Sequence, residues 1–121
     1  MTITTSDQQP DPHPYSPAAT AAGLVFVSGA LSIDPEGRAV TGRVEAVDAA
    51  LERMTERMAT AGAKLENVVK LTYFVTDVTL REEANRQFER VFAHPRPART
   101  FVEVSGLPYG ATVEIDCIAR A

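Results

Sequence analysis

The sequence predicts an α+β domain: one sheet of about six strands with two helices packed on a single face. Three observations carry this. Apolar residues recur at steps of three and four in only two stretches, residues 42–61 and about 80–93. Elsewhere, alternating or short continuous apolar runs end at Gly, Pro, Asp or Asn, as strands do. The resulting order is strands, helix, strand, helix, two strands, without the regular alternation of a doubly wound sheet. A chain of 121 residues suits one domain with a real core, and no repeat or linker divides it.

Residues 1–13 are polar and carry alternating prolines that continue to Pro14. They read as a flexible or extended tail ahead of a single domain over 14–121. Ala18–Ala22 and Leu24–Val27, around Gly23, form a strand pair or one bent strand that ends at Ser28-Gly29. Leu31–Ile33 meets Asp34-Pro35-Glu36-Gly37, a type I turn with Pro second and Gly fourth, and a short strand at Arg38–Val40 closes a first hairpin. Over 42–61, Val44, Val47, Leu51, Met54 and Met58 make the helix's inner stripe, with Glu45, Asp48, Glu52 and Glu56 outside. Thr41 is the expected N-cap and Gly62 the C′ glycine.

Asn67–Val75 is a strand with both faces partly covered. The second helix begins with a capping-box pattern, Thr79-x-x-Glu82, and its stripe is Leu80, Ala84, Phe88, Val91 and Phe92. Glu82 and Arg86 pair four apart, and Asn85, at the stripe's border, is expected to bond a neighbouring loop. His94-Pro95-Arg96-Pro97 breaks this helix and delivers the chain extended into Arg99. Residues 98–105 and 112–120 then read as a hairpin about Gly106-Leu107-Pro108-Tyr109-Gly110. On its first strand Thr100, Val102 and Val104 point one way and Arg99, Phe101 and Glu103 the other. On its second, Val113, Ile115 and Cys117 oppose Glu114, Asp116 and Ile118. Apolar residues fall on both sides of several strands, yet the two helices cover only one side. An oligomer meeting sheet to sheet or edge to edge is therefore expected.

The formal net charge of −4, with no basic cluster, weighs against nucleic acid as a partner. A single cysteine forms no intramolecular disulfide and points to a reducing compartment. No apolar run approaches the roughly 18 residues of a membrane span, so no membrane partner and a cytoplasmic location are expected. Phosphate-cradling glycine loops, nucleophile elbows and metal-ligand spacings are missing, and His13 and His94 read as surface residues.

Arg99 is the leading functional candidate, because its planar fork grips carboxylates at two points and keeps its charge. The alternative is a structural ion pair with Glu103, Glu114 or Asp116. Glu114 is either such a partner or a general base, and as a base it needs burial to raise its pKa.

Pro14, Tyr15, Ser16 and Ala18, then Val27-Ser28-Gly29, Asp34-Pro35-x-Gly37, Asn85, Pro97-Ala98-Arg99 and Val113-Glu114-Ile115, resemble in order and interval the Rid family. These are the reactive-intermediate, or enamine/imine, deaminases, also called the YjgF family. The resemblance implies a chorismate-mutase-like fold with a mixed sheet, a homotrimer around a central barrel, and three clefts between subunits. It also implies cofactor-free hydrolysis of 2-enamine and 2-imine acids, such as 2-aminoacrylate, to 2-keto acids and ammonia, with no metal. On this view Arg99 clamps the substrate carboxylate and Glu114 activates water. Tyr15 closes the pocket, and backbone groups at Ser28 and Gly29 contact the imine. Three positions depart from the commoner pattern. Ala30 stands where many members have Gln, Pro17 where Gln or His is frequent, and Phe101 where many deaminating members have Cys. Phe101, on the Arg99 face, is expected to reshape the substrate pocket. The alternatives are a non-catalytic binder of small keto acids at the same clefts, and a pathway-specific relative acting on another substrate.

Overall fold

The computed structural model describes residues 4–5 and 13–121. Its strands are β1 (Thr4–Thr5), β2 (Ala18–Ala21), β3 (Leu24–Leu31), β4 (Val68–Val75), β5 (Ala98–Glu103) and β6 (Val113–Arg120). The helices are α1 (Arg43–Ala59) and α2 (Arg81–Val91). The strands form one sheet in the order β1-β2-β3-β6-β4-β5. Every pairing is antiparallel except β4 with β5, so the sheet is mixed. No helix of the described residues is long and apolar enough to cross a membrane. The tail expected over 1–13 lies outside the described residues apart from His13 and Thr4–Thr5, and the latter pairs with Thr20 and Ala19.

The core lies between the sheet and both helices, as expected. Val25, Leu71, Tyr73, Val75, Val113 and Ile115 are fully buried from the sheet side. Val47, Ala50, Met54 and Met58 of α1 and Ala84 of α2 meet them. Each large side chain so removed from water contributes about 1.5–3 kcal/mol. Among the described residues no layer covers the other sheet face, which leaves Phe26 and Val102 exposed.

Several local expectations are corrected. Val44 is half exposed, while the α1 stripe holds Ala46, Ala50 and an unexpected Arg57. Gly42 (φ +94°), not Thr41, caps α1, without a side-chain bond. Gly62 does end it: Gly62 N–H donates to the Ala59 carbonyl and Ala63 N–H to the Met58 carbonyl, the Schellman pair. Asp77 caps the short 3-10 turn Val78–Leu80 that leads into α2, its Oδ1 accepting from both the backbone and the hydroxyl of Thr79. α2 itself starts after Leu80 without a side-chain cap, so the expected Thr79–Glu82 box does not form. The Asp34 turn forms as expected, but the strand beyond it shrinks to a single bridge, Ile33 with Ala39. The strand expected to end at Ser28-Gly29 continues through a bulge between Val27 and Ala30.

The largest correction concerns the last two strands, which are not a hairpin. β4 lies between them, pairing parallel with β5 and antiparallel with β6. The connection 104–112 passes the end of β4, where Val104 N–H donates to the Val75 carbonyl and Thr76 N–H to the Thr112 carbonyl. Turn residues show that a chain bends, not which strand it meets next.

Candidate functional site

The parallel register of β5 sets Arg99 beside Leu71 and Phe101 beside Tyr73, so both face the helices. The Arg99 Cζ lies 5.1 Å from the ring centroid of Phe88, 5.4 Å from that of Tyr73 and 5.6 Å from that of Phe101. Three aromatic rings thus surround one guanidinium, each attracting it through its negative face. Arg99 Nη2 donates to Asn85 Oδ1 at 2.7 Å, so Asn85 bonds this arginine and not a loop. Asn85 and Phe88 are three apart on α2, hence on one helix side. That spacing was the available signal for their shared role. Burial pulls the Arg99 pKa down, Tyr73 opposes this and Arg81 adds to it; an arginine stays cationic nonetheless.

The ion pair offered as the alternative is not formed. Among the described residues no carboxylate pairs with Arg99. Glu103 Oε1 instead accepts from the Val78 N–H at 2.7 Å. Asp116 lies opposite Thr72 in the register, and its carboxyl is raised by burial against the pull of Lys70 and a hydrogen bond from Thr72. Lys70 Nζ itself donates to Thr100 Oγ1 at 2.8 Å.

Glu114 is opposite Phe74 of β4 and Leu31 of β3, on the face away from the helices. Burial raises its pKa first, Asp116 repulsion adds to that, and the Arg57 charge opposes both. This is the direction a general base working near neutrality needs. Gly29 makes room for it, because a Cβ there would come within 2.6 Å of Glu114 Oε2. Ser28, on the same bulge, holds the preceding segment. Its N–H donates to the Pro17 carbonyl at 3.0 Å and its hydroxyl to the Ser16 carbonyl at 2.7 Å. This fixes Tyr15, whose ring stacks on His13 at 5.1 Å and carries Arg57 over its face at 5.6 Å. Tyr15 is 45% exposed and so available to a ligand or a neighbour.

The site residues therefore fall into two groups. Arg99, Phe101, Asn85, Tyr73 and Phe88 gather on the helix face near β5. Tyr15, Ser28, Gly29 and Glu114 gather around the β3 bulge. The register puts Arg99 and Glu114 on opposite sheet faces with β4 between them, so one chain does not bring them together. A groove of about 950 Å³ lies elsewhere, by Leu65, Phe92, Arg96 and Arg120, and holds none of them.

Fold and site define a small single-sheet α+β protein with an aromatic-lined guanidinium, free of any carboxylate among the described residues, on one face and a carboxyl of raised pKa on the other. The chain belongs to the Rid (YjgF) family: the family described as "Endoribonuclease L-PSP" matches residues 6–121. It is 39% identical over 108 residues to "Reactive Intermediate Deaminase A, chloroplastic" of Arabidopsis thaliana, covering 88% of this chain and 58% of that one. It is 34% identical over 108 residues to the "2-iminobutanoate/2-iminopropanoate deaminase" of Homo sapiens, covering 88% and 79%. The structure of RidA from an Antarctic Psychrobacter superimposes with a TM-score of 0.83 at 31% identity, covering 100% of this chain and 99% of that one.

Proposed function

We propose that this protein is a cofactor-independent deaminase that hydrolyses 2-enamine and 2-imine acids, such as 2-aminoacrylate, to 2-keto acids and ammonia. The observation that carries the reading is the Arg99 guanidinium, bonded at one nitrogen to neutral Asn85 and paired with no acid among the described residues. A cation so placed is complementary to a small carboxylate, and the fork retains donors to grip it. The deaminase names of the Arabidopsis and human relatives support the same chemistry.

Arg99 binds the substrate carboxylate while Phe101 borders its side chain. Glu114 takes a proton from water as the water oxygen bonds to the imine carbon. Glu114 passes that proton to the nitrogen, giving a carbinolamine, and then carries the hydroxyl proton to the same nitrogen as the C–N bond breaks, so that a C=O replaces the C=N and ammonia leaves. Tyr15 closes the pocket and backbone groups at Ser28 and Gly29 hold the imine or the water. Much of the rate comes from positioning. Because Arg99 and Glu114 lie on opposite faces of one sheet, the working site takes Arg99 from one subunit and Glu114 from its neighbour. A homotrimer in which the β5 edge of one subunit, carrying Arg99, meets the uncovered sheet face of the next, in the cytoplasm, satisfies this. Neither a metal, a nucleic acid nor a membrane takes part.

The test is to add the protein to an amino-acid oxidase or threonine dehydratase reaction that releases the imine, and to follow keto acid. Acceleration is expected, and Arg99→Ala is expected to lower kcat/KM by about two to three orders of magnitude with the fold intact. An unchanged rate in that variant sinks the clamp. Arg99-dependent binding of keto acids, with imine hydrolysis at the buffer rate, identifies a non-catalytic binder instead.

A further inference from the structure

The deaminase reading uses one arginine, but the structure puts a second beside the carboxylate. Arg57 belongs to the inner side of α1, where its companions are Ala46, Val47, Ala50, Leu51, Met54 and Met58. It is only 8% exposed. Its Nη1 is buried and donates no hydrogen bond, and no carboxylate of the described residues forms an ion pair with it. Leucine or methionine would fill the same space without desolvating a charge. Packing therefore does not account for a guanidinium here.

Its surroundings do. The guanidinium lies over the Tyr15 ring, Ser28 fastens the Tyr15–Pro17 segment to the bulge, and Gly29 in that bulge gives Glu114 its room. We propose that Arg57 is a positioning residue of the imine-hydrolysing site. Its buried charge holds the Tyr15 ring by its face and serves as the counter-charge to the Glu114 carboxylate. This rests on the deaminase reading above.

The groups packed around Glu114 support it. On its own strand the charged neighbour is Asp116, which repels it, and Arg57 of α1 offsets that repulsion. Opposite it, β3 and β4 present Leu31 and Phe74, neither ionisable. The ammonium of Lys70, on β4, is bonded to Thr100 and acts on Asp116. Arg57 is thus the cation that favours ionised Glu114 against burial.

The experiment compares the full-length protein with Arg57→Met, Arg57→Gln and Arg57→Lys. One readout is the pH profile of kcat/KM for imine hydrolysis. The other is the carboxyl NMR titration of Glu114, assigned with Glu114→Gln, which needs no activity. A general base acts ionised, so losing the cation should move the acid limb to higher pH. In Arg57→Met and Arg57→Gln both the limb and the titration midpoint should move to higher pH, the direction in which loss of a nearby cation shifts a carboxyl. Arg57→Lys should stay near the wild type. A wild-type midpoint in the neutral variants overturns the proposal, and so does a lysine variant that shifts as they do. If the wild-type protein fails to accelerate hydrolysis while the midpoint still moves, the deaminase reading fails and the electrostatic link stands. Should Arg57→Met not fold, Arg57→Gln and Arg57→Lys carry both readouts.

Discussion

A methyl group at residue 29 would collide with Glu114 Oε2, so Gly29→Ala should displace that carboxylate. We expect at least a tenfold loss of kcat with little change in KM, since the Arg99 clamp is on the other face; equal changes in both would contradict this. Asn85 is read the opposite way. Asn85→Ala removes a hydrogen bond that orients Arg99 and should raise KM for the imine, or Kd for a keto acid, about tenfold. A titration of the variant checks it. The raised pKa of Glu114 carries a stability consequence as well. A carboxyl whose folded pKa is above its unfolded one stabilises the fold below the unfolded value, about 4.3, and loses that contribution as pH rises through the folded value. Glu114→Gln should therefore melt above the wild type at pH 7 and together with it near pH 4; melting curves at the two pH values decide it.

At the scale of elements, α2 is both a core helix and the support of the Arg99 guanidinium, the proposed carboxylate clamp. Its Ala84 and Phe88 face the sheet while Asn85 reaches Arg99. Gln87 buries a bridge: Tyr73 donates its hydroxyl to Gln87 Oε1 at 2.8 Å, and Gln87 Nε2 donates to the Val47 carbonyl and Asp48 Oδ1, each at 2.9 Å. Gln87→Met leaves the Tyr73 hydroxyl without its partner and should cost about 1–3 kcal/mol, read by urea unfolding. That network ties α1, α2 and β4 under the ring on which Arg99 rests. Its absence from the sequence reading is instructive. Helical period exposed α1 and α2, and strand alternation put Arg99 and Phe101 on one side correctly, because both patterns are local. Neither names a partner across the sheet. The insertion of β4 between the last two strands, the Asn85–Arg99 bond and the burial of Arg57 all depend on contacts between distant residues, which composition and spacing do not encode. Gln87 and Arg57 are buried on the inner sides of α2 and α1, at positions where an apolar period anticipates no polar residue.

For the whole molecule, the deciding feature is the sheet face that the helices leave bare. It mixes exposed Phe26 and Val102 with Lys70, Asp116 and Glu114, an apolar surface with buried-type acids that suits a neighbour of the same chain. Light scattering should give a mass about three times that of the chain, and a charge at Phe26, as in Phe26→Glu, should lower it toward the monomer along with activity. A monomeric wild type that still hydrolyses imines would contradict the shared site.

The separation of Arg99 from Glu114 by the thickness of one sheet also reaches into heredity. A chain lacking the arginine and another lacking the acid would each be dead alone. When the two are co-expressed and assemble at random, about one junction in four would inherit the intact half of each. Two defective alleles would then complement one another within a single cell, and recovery of about a quarter of the activity would be the mark of a site divided between two chains.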